Sequence, residues 1–328
     1  MKRRLFLTAC LATLAGLPAS AQTAHDWVMA TEYPATSIVG EGLEAFAAAV
    51  TRRLEGRVVV KAAFGPKDAR SADMPMSVAS GRWQGGDAFG GAIGAVNPVF
   101  GLSSLPFVAT SLEEARRLAV AARPLYEKAL ADKGLRLLYL TPWPPSGVWS
   151  RKPITGAANL SGLTIRTYDA PSTQVFAAAG AVASNLSFAD VMGKLRDGSV
   201  DAVLSSGDGG AGRRLWEFLP HFTPVNYAVP LSFTFVSTAV YDALPPADRA
   251  AIDAVGRETE QRQWSALVGR LEQNYAQMKA NGVVIGDVRV DVVEALQRAS
   301  TPVIAEWSRL SGPDAAGILQ SYIAGKRP

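Results

Sequence analysis

Few residues in this chain of 328 could make or break covalent bonds. Histidine occurs only as His25 and His221, and cysteine only as Cys10. A serine nucleophile activated through imidazole would have to use His221, because His25 lies near the N-terminus. No G-x-S-x-G stretch is present to hold such a serine on a strand-to-helix turn. The Cys and His spacings of zinc sites are also missing. Gly85, Gly86, Gly90, Gly91 and Gly94 crowd around Phe89 but match neither the phosphate loop with its Lys nor G-x-G-x-x-G. They read as a tight turn plus small residues that let the backbone approach a cleft. Asp87, Asp201 and Asp208 show no paired spacing and read as solvated loop residues. No catalytic residue, metal site or cofactor is therefore expected, and the chemistry points to binding rather than turnover.

The elements that must position a binding site alternate between short apolar runs and helical patterns. Trp27–Ala30 and Val58–Ala63 read as strands, and between them Leu43, Phe46, Ala47 and Val50 mark one face of a helix. Ser111-Leu112-Glu113-Glu114 is a capping box that opens another helix. Leu135–Leu140, Leu163–Thr167 and Ala202–Leu204 read as further strands, with helices from about Ser172 to Ala179 and from Ser187 to a stop at Gly198. Strands alternating with helices argue for parallel α/β lobes. From Pro246 to about Lys279 the pattern is one long helix, either a brace across two lobes or a helix on one lobe only. Val292–Leu310 reads as a second helix, interrupted by Pro302.

The first residues read as an export signal. Lys2, Arg3 and Arg4 precede the uncharged apolar run Leu5–Leu17, and Ala19-Ser20-Ala21 supplies an A-x-A cleavage site. That run is shorter than the ~20 residues a spanning helix needs, and no later run is long and charge-free enough. Residues 1–21 are thus expected to leave, taking Cys10 with them and placing the protein in the periplasm. An alternative is lipoprotein processing, since Leu7-Thr8-Ala9-Cys10 resembles a lipoprotein box. Loss of Lys2, Arg3 and Arg4 takes the formal charge from +4 to +1, so bulk electrostatics give no reason to expect a nucleic-acid partner. About 307 of the 328 residues then remain, enough for two lobes of ~150 each.

Five stretches taken together resemble the solute-binding proteins of tripartite ATP-independent periplasmic (TRAP) transporters. They are Gly42–Val50 with Gly56–Val60, Leu102–Phe107, Trp149–Ile154, Asn159–Arg166 and Phe188–Asp201. The block Leu160-Ser161-Gly162-Leu163-Thr164-Ile165-Arg166 carries the resemblance most strongly. It implies an α/β fold of two lobes with mixed sheets, a hinge and a long lobe-spanning helix. Residues 22–142 plus about 230–268 would form lobe I, and 143–229 plus about 269–328 lobe II. The implied function is capture of a small organic monocarboxylate by lobe closure and its delivery to the small and large membrane subunits of a permease.

The resemblance also implies a site. The family's signature arginine falls on Arg166, and a guanidinium at a strand end facing a cleft suits a carboxylate: it is planar, always charged and can grip bidentately. Tyr33 matches the loop after the first strand, Phe89 a position that some members fill with a polar contact, and Trp149 the cross-over strand beside the ligand. Ser205 and Ser206 stand where many members place an amide, and are expected to present hydroxyl or backbone N–H groups from a small loop. Asn226 marks the return to the first lobe. Where some members carry a second arginine this chain has Pro145-Ser146-Gly147, which argues against a large acidic sugar. Two other readings share parts of this pattern: a ligand-presenting partner of a membrane sensor, and a periplasmic enzyme. Purified periplasmic protein is expected to begin at Gln22 without lipid; an intact mass carrying an acylated Cys10 would overturn the cleavage assignment.

Overall fold

A computed structural model describes residues 25–325; the export signal, the Ala21 cleavage site and Cys10 lie outside the described residues. The chain runs β1 (His25–Thr31), α1 (Ile38–Arg53), β2 (Val58–Phe64), α2 (Met74–Ala79), β3 (Gly85–Phe89), α3 (Leu112–Ala131) and β4 (Leu135–Pro142). It crosses to β5 (Ser146–Ser150), β6 (Thr164–Thr167), α4 (Ala170–Ala178), β7 (Val182–Asn185), α5 (Phe188–Arg196), β8 (Ala202–Ser206), α6 (Gly207–Gly212) and β9 (His221–Thr223). It then returns through β10 (Leu231–Ser237) and α7 (Thr238–Asp242) to α8 (Pro246–Ala280), β11 (Val284–Ile285), α9 (Val290–Leu310) and α10 (Gly312–Ala324).

Helix starts follow local chemistry. Ser111 accepts from the Glu114 N–H at 3.3 Å while the Glu114 carboxylate accepts from the Ser111 N–H, closing the expected capping box. Ser37, Asp169 and Ser187 likewise accept from backbone N–H groups at the starts of α1, α4 and α5. Helix α9 continues through Pro302 instead of breaking there.

The strands form two mixed sheets, ordered β2-β1-β3-β10-β4 and β11-β9-β5-β8-β6-β7. In the first, β1 runs parallel to β2 and β3; in the second, β6 runs parallel to β7 and β8. Ligands in α/β sheets collect beyond the carboxyl ends of such strands. Here the ends of β1 and β3 face those of β6 and β8 across one cleft. The sheets are joined by Trp143-Pro144-Pro145 and by the Pro224–Pro230 segment, where prolines limit the backbone's freedom.

Helix α8, 35 residues long, is a brace on both lobes. Its first half buries Ile252 and Val255 in the first lobe's core with Phe46 and Tyr139. Its second half buries Leu267 and Met278 in the core around Trp149 and Phe222. The C-terminal segment departs from the expected boundary. Trp307 of α9 and Leu319 of α10 pack into the first lobe's core, and the Tyr322 hydroxyl donates to the Glu114 carbonyl on α3 at 3.0 Å. Apolar surface on α3 thus draws the tail back to lobe I, where the sequence reading placed it on lobe II.

Asp208 also departs from expectation: it is buried, not solvated. Its carboxylate accepts from the Ile38 N–H at 2.9 Å and from Arg270 Nε at 2.5 Å, joining α6, the start of α1 and the brace helix. Arg270 continues to Glu41 and to the Thr36 carbonyl, so one guanidinium ties both lobes. Removing one partner of a buried charge pair leaves the other uncompensated. Asp208→Ala is expected to lower stability by about 3–5 kcal/mol, with Asp208→Asn in between because it keeps an acceptor for Ile38. Urea denaturation checks this, and an unchanged midpoint for the Ala variant would show that the clasp contributes nothing.

Candidate functional site

The cleft holds a cavity of about 320 Å³ whose walls come from both lobes. Arg166, at the end of β6, is its one deeply buried cation, 5% exposed. Nε donates to the Leu186 carbonyl at 2.8 Å and Nη1 to the Leu204 carbonyl at 3.2 Å. Those carbonyls belong to the neighbouring chain segments after β7 and within β8, so the sheet itself aims the guanidinium. Two of its five N–H donors are thereby committed, and Nη2 has no hydrogen-bond partner among the described residues. With Nε engaged, a two-pronged grip on a carboxylate must use the Nη1–Nη2 end. The Phe188 ring packs 4.8 Å from the guanidinium carbon, a contact that stabilises a desolvated cation. Burial lowers the Arg166 pKa from its ordinary value, with Tyr33 and Glu32 acting in the other direction, yet an arginine so placed stays protonated.

Tyr33, Phe89, Ser205 and Ser206 join Arg166 on the wall. Phe89 meets Tyr168 edge to face across the cleft at 5.1 Å, and Tyr33 packs on Trp143 at 4.7 Å. Ser205 and Ser206 end β8 instead of forming a loop: the Ser206 hydroxyl accepts from Gly209 N–H at 3.1 Å and starts α6. Two expected residues lie elsewhere. Trp149 is fully buried behind the wall, where its indole N–H donates to the Ser206 carbonyl at 3.2 Å. A methyl at Gly210 would collide with that indole, so the glycine is what lets α6 lie on it. Asn226 is exposed, with a left-handed φ of 49° in the returning crossover, and does not line the cavity.

Several wall residues had no motif to announce them. Glu32 and Ser71 come from the first lobe, Tyr168 and Phe188 from the second. Tyr168 could have been found from strand periodicity, since it stands two positions after Arg166 and shares its face. Arg70 and Asp190 form an ion pair of 2.8 Å across the mouth of the cleft. The glycine run around Phe89 does bring backbone to the cleft: a Cβ on Gly91 would stand 2.6 Å from Asp169 Oδ2 on the opposite lobe.

Asp87 corrects the loop reading again. It is fully buried on β3, accepting from the hydroxyls of Thr31 at 3.2 Å and Thr234 at 3.4 Å. Burial with no cation beside it pushes its carboxyl up to about 8. The folded state then holds a proton that the unfolded chain releases near pH 4. This contribution is fully present below that point and is lost as pH rises toward about 8. Asp87→Asn is expected to gain on wild type over that window, by at most ~1.4 kcal/mol per pH unit. Chemical denaturation of both proteins from pH 4 to 8 measures it; a constant difference would show that Asp87 does not titrate there.

The family profile described as bacterial extracellular solute-binding protein, family 7, matches residues 29–310. The Bordetella pertussis extracytoplasmic solute receptor DctP7, which binds pyroglutamic acid, is 26% identical, with a TM-score of 0.88 over 92% of this chain and 100% of its own. A TRAP solute-binding protein from a marine metagenome, specific for pyroglutamate, is also 26% identical, with a TM-score of 0.86 over 92% of this chain and 99% of its own. A Chromohalobacter salexigens TRAP protein with bound D-glucuronate is 20% identical at a TM-score of 0.84 over 92% and 100%, a likeness of fold alone. No curated protein sequence matches at a significant level.

Proposed function

The chain belongs to family 7 of the bacterial extracellular solute-binding proteins, and from that premise we propose that it captures a small organic monocarboxylate in its interlobe cleft for delivery to TRAP membrane subunits. The observation that carries the reading is Arg166: a guanidinium 5% exposed, aimed by two backbone carbonyls, on the wall of a cavity and without a carboxylate partner. A buried charge without a counter-ion is costly unless something pairs with it. A ligand carboxylate is the group that fits.

Tyr33, Phe89, Trp143 and Phe188 give the rest of the ligand an aromatic enclosure, with Ser205 and Ser206 as polar points. The pyroglutamate-binding relatives make that cyclic acid the first compound to try. On this reading the two proline-bearing crossovers and the brace helix allow the lobes to close, and the protein works outside the cytoplasm after cleavage at Ala21. Its role is binding, not catalysis.

The test is calorimetric titration of a monocarboxylate panel, pyroglutamate included, against wild type, Arg166→Lys and Arg166→Ala. Removing one side of a buried charge pair costs about 2–5 kcal/mol, so the Ala variant should lose about 30-fold to several-thousand-fold in affinity. Lys keeps the charge without the planar fork and should fall between. Melting of the ligand-free variants should stay near wild type. Undiminished binding by Arg166→Ala would refute the assignment.

A further inference from the structure

A carboxyl group shares the cleft with Arg166, and one of its two oxygens has no hydrogen-bond partner among the described residues. Glu32 follows β1, is 8% exposed and lines the cavity. Its Oε1 accepts from the Ser71 hydroxyl at 2.5 Å, and Ser71 in turn accepts from the Phe89 N–H at 3.0 Å. The side chain is therefore held in one orientation by the backbone of β3. Its other oxygen, Oε2, is buried without a hydrogen-bond partner. Arg166 feels its charge but forms no ion pair with it. Arg213 donates to the Glu32 backbone carbonyl at 2.6 Å, not to the carboxylate. An anchored donor fork and an anchored acceptor thus occupy the same cavity without touching each other.

Resting on the carboxylate-binding role of Arg166, we infer that Glu32 determines specificity by accepting a hydrogen bond from an N–H or O–H group on the body of the acid. The substrate class is then a carboxylate that carries a hydrogen-bond donor: a lactam, or a 2-hydroxy acid. An acid of the same shape without that donor would bury Oε2 against a lone pair or a carbon. Sites that must hydrogen-bond a group discriminate strongly against analogues lacking it.

Two matched pairs separate the donors by titration of the full chain. Pyroglutamate is compared with 5-oxotetrahydrofuran-2-carboxylate, in which a ring oxygen replaces the N–H. Lactate is compared with 2-fluoropropanoate, in which fluorine replaces the hydroxyl. The donor-bearing member of at least one pair is expected to bind about 10- to 100-fold more tightly. Glu32→Gln keeps the shape and an acceptor for Ser71 but can turn an amide N–H to the cavity, and should compress that ratio about tenfold. Glu32→Asp withdraws the acceptor by one methylene and should also erode it, which covers the case in which the Gln variant folds poorly. Equal binding within both pairs by wild type would overturn the inference while leaving Arg166 in place. So would a ratio that survives both substitutions, or a panel in which only donor-free acids bind. If wild type binds no acid at all, the carboxylate reading fails, and this inference with it.

Discussion

A guanidinium buried without a carboxylate is the constraint around which the rest of the molecule is arranged. Arg166 keeps its charge where the fold leaves it only 5% exposed, on the wall of the cleft. The sheet compensates with two backbone carbonyls and the face of Phe188, each of which contributes partial negative charge but none of which neutralises it. The residual preference for an anion is therefore built into the fold before any ligand arrives. Because the carbonyls belong to Leu186 and Leu204, the direction of the guanidinium depends on the parallel pairing of β6 with both neighbours.

That single charge needs an opposing wall, and the opposing wall belongs to a separate sheet. The first lobe presents the ends of β1 and β3 through Tyr33 and Phe89, and the two lobes touch through Phe89 on Tyr168 and Arg70 on Asp190. Both latter contacts lie at the cleft. The Asp208–Arg270 clasp lies behind the cleft, on the brace helix, and is fully desolvated on its acidic side. The pair on the brace helix is thus buried and the pair at the cleft exposed. Exposed ion pairs contribute little to stability.

Much of this was legible in the chain. Caps at Ser111 and Ser187, the helix stop at Gly198 and the apolar runs of β1, β2, β4 and β8 are short-range facts, decided within a turn or a strand. Arg166 was legible because a strand-end arginine sits in a distinctive block, and Tyr33 and Phe89 only through the resemblance that block carries. The long helix from Pro246 was legible as an element, but its pattern left open whether one lobe or two would hold it.

What the sequence by itself determined is the alternation of its main apolar strands with capped helices and the presence of one cation at a strand end. What only the tertiary structure decided is which groups meet far from their neighbours in the chain. Asp208 looked solvated because its partners, Ile38 and Arg270, lie 170 and 62 positions away. Asp87 looked the same because Thr234 is 147 positions distant. Trp149 moved from the wall to its support because α6 lies on its indole, Asn226 left the site because the crossover turns it outward, and α10 returned to lobe I because α3 offers it apolar surface. Glu32 carries no motif at all: its orientation is set by Ser71 and, through it, by Phe89, both far along the chain, and burial of that kind is a property of the tertiary fold, not of any local pattern.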